Sequence, residues 1–207
     1  ACVFAVAQRH HEAVIWYAAL PELLVFFFAV LAFLCWVAWL QGARRGPLWY
    51  AGACLCYLLA LLSKESAVAV VGLMGVAAAL EPQRRLRSVL ALAPFALGAA
   101  AYFGLAYMAR GSHQHFNDGT FSLHAPFLTV MAHSAARLLG VWGWLALAAL
   151  AFWRVKGRVL LLTAAAAWMA ISLAPYSFLT YMPRVPSRHT YLASVAMAMV
   201  VAAGFLE

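Results

Sequence analysis

LLVFFFAVLAFLCWVAWL, residues Leu23–Leu40, carries no charged side chain and no turn-forming residue. As an α-helix rising 1.5 Å per residue it would reach about 27 Å, close to the ~30 Å hydrocarbon core of a bilayer. Six further apolar blocks follow: Leu48–Leu62, Ala67–Leu80, Ser88–Ala109, Leu138–Trp153, Val159–Tyr181 and Tyr191–Phe205. Over such lengths in lipid, a helix satisfies its own backbone and an open strand does not. The pattern predicts an all-α, polytopic transmembrane helix bundle of about seven spans. No internal repeat or low-complexity linker divides it, so residues 1–207 read as a single transmembrane domain.

Composition points the same way. Hydrophobic residues make up 67% of the chain and charged residues 10%, and mean hydropathy is +0.89. A soluble domain of this size needs far more polar surface to cover its core. The net charge of +8 does not mark a nucleic-acid partner, because the basic residues sit in short loops between apolar blocks. Cys2, Cys35, Cys54 and Cys56 all fall inside apolar sequence, with no zinc spacing and no evident disulfide pairing; they read as small buried hydrophobes. No signal peptide is visible. The chain opens in apolar sequence without Met and closes in apolar sequence, which reads as a domain truncated at both ends.

Loop charge gives an orientation. Gln41–Pro47, Glu81–Arg87 and Arg154–Arg158 hold Arg44, Arg45, Arg84, Arg85, Arg87, Arg154, Lys156 and Arg158 against one acid, Glu81. The positive-inside rule places these loops in the cytoplasm. All seven histidines and the long loop Arg110–Pro126 then fall outside, so the chemistry is expected on the extracytoplasmic face of the cell membrane. Leu48–Leu62 and Ala67–Leu80 are short for spans. They read either as one overlong helix interrupted at Ser63–Ser66 or as a hairpin; the charge bias favours the hairpin, with Ser63, Lys64, Glu65 and Ser66 turning at the outer surface.

Four polar constellations stand out. Arg9-His10-His11-Glu12, with Trp16 and Glu22, reads equally as an interfacial cap or as a polar cluster facing an outer cavity, where Glu12 would act as a base or position a hydroxyl. In Ser63-Lys64-Glu65-Ser66, a lysine at membrane depth costs about 2.5–3.5 kcal/mol on insertion scales; a neutralised turn is one reading, and an ammonium aimed at an anionic ligand is the preferred one. Arg188 and His189 sit in RVPSRHTY (Arg184–Tyr191), stiffened by Pro183 and Pro186; taken alone the segment reads first as a plain outer loop with two interfacial cations, and second as a phosphate seat, since arginine suits bidentate phosphate binding. The last is a loop with His113, His115, Asp118 and His124, read as solvated rather than as zinc-binding, since no matching ligand motif accompanies His-x-His. Beside it, His133 and Arg137 share one helical face, on a segment Ala125–Gly140 that suits a helix lying along the membrane.

Three segments together carry a resemblance. His10–Trp16 (HHEAVIW) with Glu22-Leu23-Leu24, Leu59–Ala67 (LALLSKESA) and Ser187–Ser194 (SRHTYLAS) are similar, in order and spacing, to segments of GT-C-type membrane glycosyltransferases that use polyprenyl-phosphate sugars. The branch is the protein O-mannosyltransferase-like one, including transmembrane O-mannosyltransferases that carry tetratricopeptide repeats. Phe121–Leu139 resembles it more loosely. The chain departs from the pattern at Ala7-Gln8, where the family has His-Pro, and at Glu22, where it has Asp.

The resemblance implies a GT-C-like fold and an inverting transfer of a sugar from a polyprenyl-phosphate carrier to a hydroxyl on a protein or glycan acceptor. It implies Lys64, Arg137 and Arg188 at the donor phosphate, His10, His11, Glu65, His189 and Tyr191 around the substrates, and Glu12 as a catalytic candidate. The family's main catalytic acid would lie upstream of Ala1. The expected partners are membrane lipid, the lipid-linked donor and the acceptor, with no nucleic acid, no metal and no cofactor. The rival readings are a transporter or lipid flippase, which would place charge near the bilayer midplane, and a scaffolding bundle whose outer charges do not converge.

Overall fold

A computed structural model describes residues 2–5, 10–81, 85–109, 111, 122, 124–152, 157–179 and 185–205. Among these the chain is helical: α1 (Cys2–Ala5), α2 (His11–Ile15), α3 (Leu20–Leu40), α4 (Gly46–Ser63), α5 (Ala69–Leu80), α6 (Arg85–Leu90), α7 (Ala93–Met108), α8 (Phe127–Phe152), α9 (Arg158–Leu173) and α10 (Ser194–Phe205). Five helical stretches are long and apolar enough to cross a membrane: Tyr17–Leu40, Gly46–Ser63, Leu86–Met108, Phe127–Phe152 and Arg158–Phe178. Glu65–Leu80 and Ser194–Phe205 are apolar but shorter. The protein is therefore an all-α, multi-pass membrane protein. Its contacts gather into two compact units, Leu20–Thr120 and Ala1–Ala19 with Phe121–Glu207.

In the Leu20–Thr120 unit, α3 opens with Pro21 and Glu22 in its first turn, where proline's missing N–H is harmless and a carboxylate suits the helix dipole. Its buried residues Val25, Ala29, Ala32, Trp36 and Leu40 recur every three to four positions and so form one face. Helix α4 returns antiparallel to it: Gly52 faces the Cys35 sulfur, and Lys64, just past the end of α4, pairs with Glu22 at the start of α3.

At Lys64 the backbone is extended (φ −165°, ψ 146°), and a 3-10 turn, Glu65–Val68, leads into α5. Trp36 Nε1 donates to the Met74 carbonyl over 3.1 Å. Trp36 lies about 21 Å along α3 from Glu22, so α5 runs back beside α3. The chain reverses at Lys64, as the hairpin reading expects, and does not continue as one long helix. Helix α7 then runs alongside α4 in the same direction. Tyr50 Oη donates to the Ala91 carbonyl over 2.8 Å, and Gly98 sits against Tyr57 and Leu61. Fully buried Trp36, Phe95 and Met74 fill the centre, with the Trp36 and Phe95 rings edge-to-face at 5.6 Å. Arg44 and Arg45, in the α3–α4 turn, lie at the end of this unit opposite Lys64.

In the other unit, α8 is broken at Gly140 (φ 53°, ψ −160°), a conformation open to glycine and costly for other residues. The break falls at the boundary expected between Ala125–Gly140 and the block Leu138–Trp153. Below it, α9 begins with Arg158, whose guanidinium donates to the carbonyls of Leu150 (2.6 Å) and Ala151 (3.2 Å) and so caps the α8 C-terminus. Helix α10 packs along the second arm of α8. Lipid offers helices no hydrophobic drive to associate, so close approach at small residues matters more. Gly204 provides it: a Cβ there would lie 2.8 Å from Ala146 Cβ and 2.9 Å from its carbonyl oxygen. Gly204→Ala is expected to cost about 1–3 kcal/mol through overpacking, read as a lower melting temperature in detergent; an unchanged melt would show that α8 and α10 can separate freely.

Candidate functional site: an arginine turn held from two sides

The segment Val185–Ser194 connects to α10 through a 3-10 turn, Ser187–Thr190, that follows Pro186. Two groups of side chains hold it. From α8, Ser134 Oγ accepts the Val185 N–H (2.9 Å) and donates to the Val130 carbonyl (2.6 Å). One turn on, Arg137 donates to the Val185 carbonyl (3.3 Å) and to Ser187 Oγ (2.7 Å). Thr190 Oγ1 closes the turn on the Ser187 carbonyl at 2.7 Å. The crevice lined by Ser134, Arg137, Leu138, Ser187 and Thr190 is closed even to a water molecule.

The N-terminal segment holds the turn from the other side. His10 is buried in a three-ring cluster, against Phe4 and Tyr191 at centroid distances of 4.4 and 4.3 Å, with those two rings edge-to-face at 5.3 Å. Its Nε2 lies 2.7 Å from Ser194 Oγ. That hydroxyl also lies 2.6 Å from the Tyr191 carbonyl, to which it donates. Two residues on, both oxygens of Glu12 accept from a single residue: Oε1 from the Arg188 guanidinium (2.7 Å) and Oε2 from the Arg188 backbone N–H (3.2 Å). The guanidinium also lies over the Trp16 ring, 4.7 Å from its centre. His189 stacks on Tyr176 at 4.7 Å.

Electrostatics follow from this packing. Burial pushes the Glu12 carboxyl upward, but the Arg188 hydrogen bonds and charge, with His189, outweigh it and leave the pKa below its ordinary value. As arranged, Glu12 is a weak proton acceptor. Burial lowers the His10 pKa against a backbone hydrogen bond with Phe4 that raises it. Both shifts have the same sign for stability: the unfolded chain binds protons more readily, so docking is strongest at high pH and weakens on acidification. The grip of residues 10–12 on the turn is expected to loosen in two steps, as pH falls below the ordinary histidine value of 6.5 and then below the ordinary glutamate value of 4.5. Hydrogen exchange of residues 185–194 between pH 8 and pH 4 would show it; protection that is flat with pH would refute it.

Of the residues expected to form a site, His10, Glu12, Arg137, Arg188, His189 and Tyr191 converge on this turn. The side chain of His11 lies outside the described residues, as do Arg9, His113, His115 and Asp118. Lys64 and Glu65 belong to the Leu20–Thr120 unit. There Lys64 is paired with Glu22 (side chains 16% and 5% exposed), and Glu65 is exposed. Each expected phosphate cation thus has a protein acceptor: Glu22 for Lys64, Ser187 and Val185 for Arg137, and Glu12 for Arg188.

Sequence reasoning missed Ser134 and Ser194. A small hydroxyl in an apolar helix one turn before Arg137 was the available signal for the first. No family model, curated protein or solved structure matches this chain.

Proposed function

We propose that the protein is an inverting membrane glycosyltransferase that moves a sugar from a polyprenyl-phosphate donor to a hydroxyl of a protein or glycan, on the extracytoplasmic face of the cell membrane. In this GT-C-like reading all seven apolar helices are spans, and the basic loops with Arg44, Arg45, Arg87 and Arg158 are cytoplasmic. The bond from the anomeric carbon to the phosphate oxygen breaks, the acceptor oxygen attacks from the opposite face, and a base takes the acceptor proton. The resemblance assigns that base to a carboxylate upstream of Ala1.

One observation carries the proposal. Arg188 presents a guanidinium and a backbone N–H to a single anion, with its side chain 24% exposed, in a turn flanked by His10, His189 and Tyr191. Two donors converging on one oxyanion suit a phosphate that gains charge as the sugar leaves. The test is sugar transfer by the full-length protein, which would carry that carboxylate, reconstituted in liposomes with polyprenyl-phosphate sugars. Transfer that depends on Arg188 is expected; no transfer with any hexosyl donor would overturn the reading.

A buried ion pair between two apolar helices supports a second reading, a transporter: Glu22 in the first turn of α3 pairs with Lys64 just past the end of α4, and paired charges among membrane helices recur along transport pathways. Substrate uptake into liposomes that fails in Glu22→Gln would support that transporter instead.

A further inference from the structure

We propose that Glu12 is a built-in competitor for the phosphate at Arg188: its carboxylate occupies the seat of the anionic ligand and is displaced when the ligand binds. This rests on the donor-phosphate reading of Arg188 given above.

The geometry is the starting point. A carboxylate and a phosphate each offer two oxygens at similar separation, and arginine takes either by the same parallel N–H donation. Glu12 commits both of its oxygens to one residue, Oε1 to the guanidinium and Oε2 to the backbone N–H of Arg188. Those are the two donors that would hold two phosphate oxygens. The carboxylate is not locked in. Its side chain is 26% exposed, so an incoming anion can reach the pair and the displaced carboxylate can turn to water. Trp16 keeps the guanidinium in place from its ring face at 4.7 Å, so Arg188 need not move when its anion is exchanged.

The exchange has a chemical consequence. While Glu12 holds Arg188 its affinity for protons is depressed; once the phosphate takes the guanidinium, that cause is gone and a second negative charge stands nearby. The carboxylate's affinity for a proton therefore rises on ligand binding, and binding takes up protons. The charged and titratable groups facing Glu12 among the described residues are Arg188 and His189 on the turn, with His10 two residues before it. Both histidines remain when Glu12 is changed, so their titration is common to wild type and variant.

The experiment is calorimetric titration of the full chain in detergent with two phosphodiesters, dimethyl phosphate and farnesyl methyl phosphate. Both carry one negative charge across the pH range used. Glu12→Gln is expected to bind about tenfold more tightly than wild type, the scale of removing a unit charge a few ångströms from an anion in a partly wet site. Wild-type binding should strengthen as pH falls toward the carboxyl range and take up protons, measured in two buffers of different ionisation enthalpy. Glu12→Gln should lose that uptake.

A gain with both ligands assigns the seat to the phosphodiester itself; a gain with the farnesyl ligand alone assigns it to a lipid headgroup. Either supports the competition. Equal or weaker binding by Glu12→Gln, with binding still dependent on Arg188 and with no proton uptake by wild type, overturns it and leaves the donor-phosphate reading standing. Absence of Arg188-dependent binding in both proteins overturns the phosphate seat itself. In the wild type alone, uptake that persists below the histidine range is the carboxylate's, so the competition stays testable if Glu12→Gln folds poorly.

Discussion

Glu22→Ala is expected to destabilise the Leu20–Thr120 unit by about 3–5 kcal/mol, the cost of removing one member of a mostly buried ion pair. The pair joins the first turn of α3 to the residue at which α4 ends, and Lys64 is only 16% exposed. Without Glu22 the ammonium loses its carboxylate and must turn toward water or stay poorly compensated. The loss should exceed that of Glu22→Gln, which keeps an acceptor at the same reach. Replacing both partners, with Glu22→Leu and Lys64→Met, should recover most of it, because a well-packed apolar pair often matches a buried ion pair. Unfolding in mixed micelles of increasing denaturing detergent gives the measurement. If Glu22→Ala were as stable as wild type, the pair would be incidental and the reversal at Lys64 would rest on packing alone.

That pair also marks where the sequence stops being informative. The apolar blocks were legible because a run without charge needs no partner to be interpreted: Leu23–Leu40 and Leu48–Leu62 became α3 and α4 almost residue for residue. The reversal at Ser63–Ser66 was legible as well, from the basic loops on either side, which one long helix would have divided between the two faces. Two blocks, Ala67–Leu80 and Tyr191–Phe205, were already short for spans as sequence and gave the shorter apolar helices Glu65–Leu80 and Ser194–Phe205.

Charge partners were not legible. Glu22 and Lys64 are 42 residues apart and Glu12 and Arg188 are 176 apart, and no periodicity connects such positions. The cations could be placed near the ends of helices, yet their protein acceptors could not, so Lys64, Arg137 and Arg188 read as open to an anionic ligand. Arg137 shows the physical reason most plainly. Its donors hold the Val185 carbonyl and Ser187 Oγ, backbone and hydroxyl groups present in any sequence, which give no distinctive signal before the fold brings them together.

Arg188→Ala is expected to lower sugar transfer by about 10²–10³, the usual scale for removing one preorganised donor from a developing oxyanion. Charge grows on the leaving phosphate as the sugar departs, so the guanidinium should contribute more in the transition state than in the bound donor. Arg188→Lys separates the two states. A lysine keeps the charge but is a point donor: it cannot span two oxygens or lie flat over Trp16 in the same way. Donor affinity should fall only modestly in this variant, while turnover falls by a larger factor. Arg188→Ala should lose both. A structural role would produce a different signature. If Arg188 served only to dock residues 10–16 on the turn through Glu12, both variants would lower stability and hydrogen-exchange protection of that segment together, and turnover per folded molecule would stay at the wild-type level. Normal turnover in well-folded Arg188→Ala, measured with a polyprenyl-phosphate donor, would return Arg188 to the role of an anchor at the membrane surface.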